Sequence, residues 1–238
     1  MSEPIFFHEG EFTKLALVQL SEVTAKHIVQ VLRMKEGDSL RLANGNGAEI
    51  QSTIVTTGKK SCEVKVDEVI QHKTPAYKNC IAISTLKNHS RLEWFLEKAT
   101  ELGIDEIILL NCTRTERAIY KEERWRNILI AAMLQSQQYY LPQLIAPTDF
   151  NSLELTHYPY KFIAHCEADD SKLPLAGFKM EQPGNTIVAI GPEGDFTTQE
   201  INDAKARGFD AVSLGSTRLR TETAGLYAAF YLSNNRYS

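Results

Sequence analysis

At 238 residues, 43% of them apolar and 24% charged, the chain has enough hydrophobic material to bury one large core or two small ones, which excludes an intrinsically disordered protein. Its net charge of -4 excludes a broad basic surface for non-specific polyanion binding, so any contact with nucleic acid has to rest on local positive groups. No apolar run approaches the ~20 residues that span a bilayer, and the start "MSEPIFFHEG" lacks the basic flank and apolar core of a signal peptide; a cytoplasmic protein with no membrane partner is expected. Cys62, Cys80, Cys112 and Cys166 are scattered, with no C-x-x-C pair and no metal-like spacing with His, so they read as reduced, mostly buried thiols and no metal is expected.

The first seventy or so residues read as short strands around one helix. "IFFHEG", "SLRLA", "AEIQSTIVTTG" and "SCEVKVDEVI" are rich in Val, Ile or Thr, and several alternate polar with apolar. "NGNG", Asn44 to Gly47, supplies a hairpin turn, and Ser21 caps a predicted helix through "EVTAKHIVQVLRM" that stops before Gly37. Short strands around one core predict a small barrel. "HKTPAYKN", 72 to 79, marks the boundary, which gives domains of 1–73 and 74–238.

Beyond it strands alternate with long helical patterns, the rhythm of a parallel α/β sheet. "CIAIST" and "EIILLN" are buried strands, and between them Ser90 and Glu93 predict a capping box for a helix closed by Gly103. "KEERWRNILIAAMLQSQQYY" predicts one long helix stopped by Pro142. "KFIAHC", "TIVAI" and "AVSL" are three more strands; Thr197 and Glu200 predict a second capping box, and "TETAGLYAAFYLSNN" a closing helix.

Two loops, each after a buried strand and before a helix, carry the chemistry. In "AIGPEGDF", Ala189 to Phe196, the pattern fits either a plain strand-to-helix turn or a loop whose amides approach a ligand closely. In "LGSTRLRTETAG", Leu214 to Gly225, Thr221 and Thr223 suit a helix cap and Glu222 suits a first turn. Arg218 and Arg220 do not, because the helix dipole disfavours cations there, and this points to a ligand. P-loop, dinucleotide and nucleophile-elbow fingerprints are all missing, which leaves a nicotinamide oxidoreductase with little support.

"LGSTRLRTETA" with "GPEGDFTTQE" resembles the paired C-terminal motifs of SPOUT-class methyltransferases that act on N3 of a uridine in small-subunit (16S) ribosomal RNA. "HIVQVLRMKEGD" (27–38), "EKATELGIDEI" (97–107) and "TRTER" (113–117) agree, in the expected order through nearly the whole chain. The resemblance implies a PUA-like RNA-binding barrel and a parallel sheet whose end threads a deep trefoil knot, in a homodimer. It also implies S-adenosylmethionine as cofactor and the 16S RNA or small ribosomal subunit as partner. Departures fall at Asp195, where a second glycine often follows "GPEG", and at Leu134 and Gln138, where a Glu and an Arg are usual; an arginine common near the start is missing from "SEPIFF".

Carried over by position, the expected cofactor set is Thr85, His165, Ile190, Gly191, Pro192, Gly194, Leu214, Gly215, Leu219, Thr221, Thr223 and Ala224. For His165 a cofactor contact and a satisfied core histidine both stand open. Arg220 is the candidate to stabilise charge on the uracil carbonyls, or else to hold a phosphate. Glu222 is the candidate base, or else an acid of the cap region beside the cofactor. Expected RNA contacts are His27, Arg33, Lys35, Arg114 and Arg117. Tyr139 and Tyr140 read as base-stacking groups or as packing. The alternatives are a SPOUT enzyme for another rRNA or tRNA nucleotide and a non-enzymatic RNA-binding protein.

Overall fold

Asn44 begins the turn that organises the first strands: its Oδ1 accepts the backbone N–H of Asn46 at 2.8 Å and of Ala48 at 3.0 Å. Gly45 and Gly47 take the positive φ values, 77° and 87°, that reverse the chain. The computed structural model describes residues 3–116, 119–169, 171–178 and 182–235, and divides into two units, Met1–Thr74 with Met133–Leu141 and Pro75–Ala132 with Pro142–Ser238.

The first unit is β-rich. Strands β1 (Ile5–Phe7), β2 (Leu17–Gln19), β3 (Ser39–Ala43), β4 (Ala48–Thr57) and β5 (Cys62–Gln71) form one sheet in the order β1-β3-β4-β5-β2. All neighbours are antiparallel except β1 and β3. Alternation places Ala48, Ile50, Ser52 and Ile54 of β4 inside and the residues between them at the half-buried face. Ala48, Ile50 and Ile54 pack with Ile28, Leu40, Leu42, Val64 and Val66 into one apolar core. The helix predicted through Met34 is shorter: α1 (Glu22–Lys26), capped by Ser21, passes directly into a π-helical turn, His27–Val31. Arg33, at φ 58°, then takes the chain out of helical geometry four residues ahead of Gly37.

Residues 133–141 belong to this unit through two tyrosines. Tyr139 stacks on His72 at 4.1 Å between ring centroids, and its hydroxyl accepts from Arg41 Nη1 at 3.0 Å. Tyr140 donates to the His72 carbonyl oxygen at 2.8 Å. Packing, not a free stacking face, is what occupies both rings.

The second unit is a seven-stranded, wholly parallel sheet: β6 (Asn79–Ser84), β7 (Glu106–Asn111), β8 (Gln143–Asp149), β9 (Tyr160–Ala164), β10 (Leu173–Pro174), β11 (Thr186–Ile190) and β12 (Asp210–Ser213). Their order is β10-β12-β9-β11-β6-β7-β8. β6 and β11 are buried along their whole length, as helix-covered parallel strands are. The helices are α2 (His89–Glu101), α3 (Glu122–Gln135, its end within the first unit), α4 (Thr198–Ala206) and α5 (Thr221–Asn235). The cap of α2 is Asn88, whose side chain accepts from Ser90 N–H; Glu93, predicted as the partner in a capping box, instead grips Arg124 through two bonds of 2.6 and 2.7 Å. α3 ends at Gln135, well before Pro142, and Gln137 turns out at φ 55°. The capping box at Thr197 and Glu200 is present in full. Among the described residues, no helix is long and apolar enough to cross a membrane.

Candidate active site

Parallel pairing aligns the carboxyl ends of three adjacent strands. Ile190 of β11 stands opposite Ala164 of β9, and Ala164 stands opposite Val212 of β12. In open α/β sheets ligands bind beyond such ends, where strand order reverses. Here the three exit loops enclose a cavity of about 790 Å³, lined by all three of those residues. That volume falls within the ~300–1,000 Å³ typical of small-molecule sites.

The longest continuous stretch of the wall runs from Val212 of β12 through the following loop to Thr221 at the start of α5. Gly215 opens that loop at φ 119°, a conformation that side chains resist. The Thr221 hydroxyl, expected as a helix cap, instead donates to the Gly191 carbonyl oxygen at 3.0 Å and so ties the start of α5 to the loop after β11. Gly191 is required by packing. A Cβ there would lie 2.9 Å from the ring of Phe196, which is fully buried.

Of the expected cofactor set, His165, Ile190, Gly191, Pro192, Leu214, Gly215, Leu219, Thr221 and Ala224 line this one cavity, together with Arg220. Thr85, Gly194 and Thr223 do not; Thr85 is buried at the end of β6, and Thr223 is exposed on α5. Gly194 gives its carbonyl oxygen to Arg114 Nη1 at 2.9 Å. Glu222 is buried beside the cavity, 3.7 Å from Arg91 Nε through Oε1, while its Oε2 has no hydrogen-bond partner.

His165 is not a satisfied core histidine. It is buried, yet neither ring nitrogen is hydrogen-bonded, and the nearest acid, Asp169, is 3.7 Å from Nε2. Burial first, and then the Lys172 ammonium, hold its pKa below the usual value, so the ring is neutral and offers one donor and one acceptor. Lys172 itself is engaged, donating to the carbonyl oxygens of His165 and Glu167 at 2.7 and 2.5 Å.

Several residues of the wall escaped the sequence reading. Arg91, from the first turn of α2, reaches Glu193 at 3.1 Å as well as Glu222. Cys166 also lines the cavity and is exposed, unlike the three buried thiols. Asp195 bonds the Cys166 backbone N–H, which brackets the cavity from a second side. No local motif marks Arg91; only the fold brings α2 against α5.

The expected RNA contacts sit elsewhere. His27, Arg33 and Lys35 are exposed on the first unit, His27 with its ring edge against Phe6. Arg114 spends its guanidinium on the carbonyl oxygens of Gly194 and Phe196. Arg117 lies outside the described residues. Behind Arg114, Glu200 accepts from both the amide and hydroxyl groups of Thr113 and Thr197. Burial pushes its pKa up, but these bonds outweigh burial and keep it lowered.

The chain thus combines a β-rich unit with a parallel α/β unit that carries a cavity at adjoining strand ends. Comparison with known proteins gives it a family. The model for an RNA methyltransferase domain matches residues 72–233, and that for an RNA methyltransferase PUA domain matches residues 21–67. The chain belongs to this RNA methyltransferase family. It is 29% identical over 221 residues to the ribosomal RNA small subunit methyltransferase E of Bacillus subtilis (strain 168), covering 87% of this chain and 86% of that protein. The crystal structure of a "probable rRNA-methyltransferase" from Porphyromonas gingivalis matches with a TM-score of 0.89 at 33% identity over 98% of both chains. A ribosomal RNA small subunit methyltransferase E from Neisseria gonorrhoeae, bound to S-adenosyl methionine, matches with a TM-score of 0.79 at 26% identity over 96% of this chain and 95% of that one.

Proposed function

We propose that the protein methylates N3 of a uridine in 16S ribosomal RNA, using S-adenosylmethionine held at the ends of β9, β11 and β12. One observation carries this reading: the aligned ends at Ala164, Ile190 and Val212 open into a single cavity whose wall holds a buried His165 and an Arg220 that have no side-chain hydrogen bond among the described residues. The donor set suits the cofactor. Ile190, Leu214 and Leu219 supply apolar surface for an adenine ring, while His165, Thr221 and backbone groups supply polar partners.

When bound, S-adenosylmethionine supplies a methyl group on a sulfonium, which departs as a neutral thioether. The chain has to remove the N3 proton and stabilise the charge that spreads to the two flanking carbonyl oxygens. Arg220 donates to those oxygens through its planar fork. Glu222 Oε2, buried and without a hydrogen-bond partner among the described residues, accepts the proton, and Arg91 Nε lies 3.7 Å from Oε1. Holding donor and nitrogen in one cavity provides the remaining acceleration through alignment.

The division of labour follows the two domains, 1–73 for RNA docking and 74–238 for transfer. His27, Arg33 and Lys35 form the docking face. The trefoil knot is supported by β9 lying between β11 and β12, with their exit loops meeting at one site. A homodimer is supported by Phe230 of α5 and Trp94 of α2, large apolar side chains 56% and 43% exposed. A ribosomal substrate supports a cytoplasmic location.

Titration calorimetry with S-adenosylmethionine tests the cofactor site. Micromolar binding at one site per chain is expected; absence of heat at that concentration overturns the enzyme reading in favour of an RNA-binding module.

A further inference from the structure

Four cationic side chains line the cavity, Arg91, Lys172, Arg218 and Arg220. Two are already engaged. Arg91 is held by Glu193 and Glu222, and Lys172 by two carbonyl oxygens. Arg218 and Arg220 are exposed and have neither an acid nor a hydrogen-bond acceptor among the described residues. They sit directly ahead of α5, whose dipole disfavours cations there. No acid among the described residues pairs with either guanidinium, which leaves both open to an anionic ligand.

One guanidinium serves the uracil. Arg220 adjoins Thr221, which is tied to Gly191, and the buried Glu222, so it belongs with the reacting base. Arg218 lies two residues further from the helix, next to Ser216 and Thr217, whose exposed hydroxyls line the same cavity. An exposed guanidinium and two exposed hydroxyl side chains, consecutive in sequence and lining one cavity, have the chemistry of a phosphodiester contact. We infer that Arg218, with Ser216 and Thr217, holds an RNA backbone phosphate next to the nucleotide being methylated. This rests on the methyltransferase reading above. It assigns Arg218 to substrate docking, separate from both cofactor binding and proton transfer.

The experiment measures binding of the intact protein to small ribosomal subunits across a salt series, for the unaltered chain, R218Q and R218K. Each lost phosphate contact lowers the slope of log K against log salt by about 0.7 to 0.9. R218Q is expected to lower the slope by that amount and to weaken subunit binding roughly threefold to tenfold at moderate salt. R218K, which keeps the charge, restores most of the slope. Affinity for S-adenosylmethionine and turnover at saturating subunit concentration should hold. An unchanged slope in R218Q overturns the assignment, as does a fall in turnover at constant subunit affinity or weakened cofactor binding. Methylation by the unaltered protein in the same preparation reads the underlying activity separately. If it fails while the slope still falls in R218Q, the methyltransferase reading is lost and the phosphate contact stands; if methylation occurs and the slope stays, only the phosphate contact is lost.

Discussion

The carboxylate of Asp195 accepts the backbone N–H of Cys166 at 2.7 Å, joining the loops after β9 and β11 across 29 residues of sequence. Its other oxygen accepts from the amide of Phe196 at 2.9 Å. Asp195 sits at φ 64°, a region that glycine adopts most readily; Asp is among the few other residues that tolerate it. In this chain the residue bears some strain and gains a clasp on the cavity wall.

Asp195→Ala removes the clasp and keeps the strain, so it should destabilise the protein by about 1–3 kcal/mol and weaken cofactor binding. Asp195→Gly removes both and should fall between Ala and the original residue. Urea unfolding and calorimetry check the ranking. A glycine variant less stable than the alanine one would contradict it.

Arg220→Ala should leave cofactor affinity and stability close to those of the unaltered protein while methyl transfer drops at least tenfold, since the group acts on charge that develops in the transition state. Steady-state kinetics on small subunits decide this. Glu222→Gln tests the base in the same assay; full activity would reduce Glu222 to a structural acid.

His165 predicts an acid-sensitive step in stability. Its folded pKa is lowered from 6.5 by burial and by Lys172, so the unfolded chain takes up a proton that the folded chain refuses. The stabilisation is complete above about 6.5 and is lost as pH falls through that value toward the lowered folded one. Asp169 behaves in the other window: Lys205 and Ser171 hold its carboxyl below 3.8, so its contribution persists until stronger acid. His165→Gln should flatten unfolding midpoints between pH 7 and 5; an identical slope would contradict the assignment.

Gly225 marks the close approach of α5 to its neighbours. A Cβ there would come within 2.7 Å of Phe95 and 2.8 Å of Ile83, both fully buried. Gly225→Ala gains helix propensity of about 1 kcal/mol but overpacks the core by about 1–3 kcal/mol. A net fall in Tm is expected by thermal unfolding, and a rise would show that the core has room.

Periodicity made most of this architecture readable. Strands such as "TIVAI" and "EIILLN" announce themselves because burial on both faces demands unbroken apolar runs, and the Thr197–Glu200 capping box is a local hydrogen-bond pattern. β8 was not readable, because "QLIAPTD" contains Pro147 and only partial burial, and an edge position tolerates both. β10, two residues long, carries no pattern at all. At the site, the glycines, threonines and arginines after β12 were visible as an excess over what capping needs. Arg91 and Cys166 were not, since their place on the wall depends on tertiary neighbours 131 and 29 residues away, Glu222 and Asp195.

The most direct measurement is nucleoside mass spectrometry of small ribosomal subunits from a strain lacking this protein, before and after incubation with the purified protein and S-adenosylmethionine carrying a labelled methyl group. One labelled 3-methyluridine per 16S RNA is the expected product. Label in a different nucleoside, or none under conditions where the cofactor binds, would contradict the account.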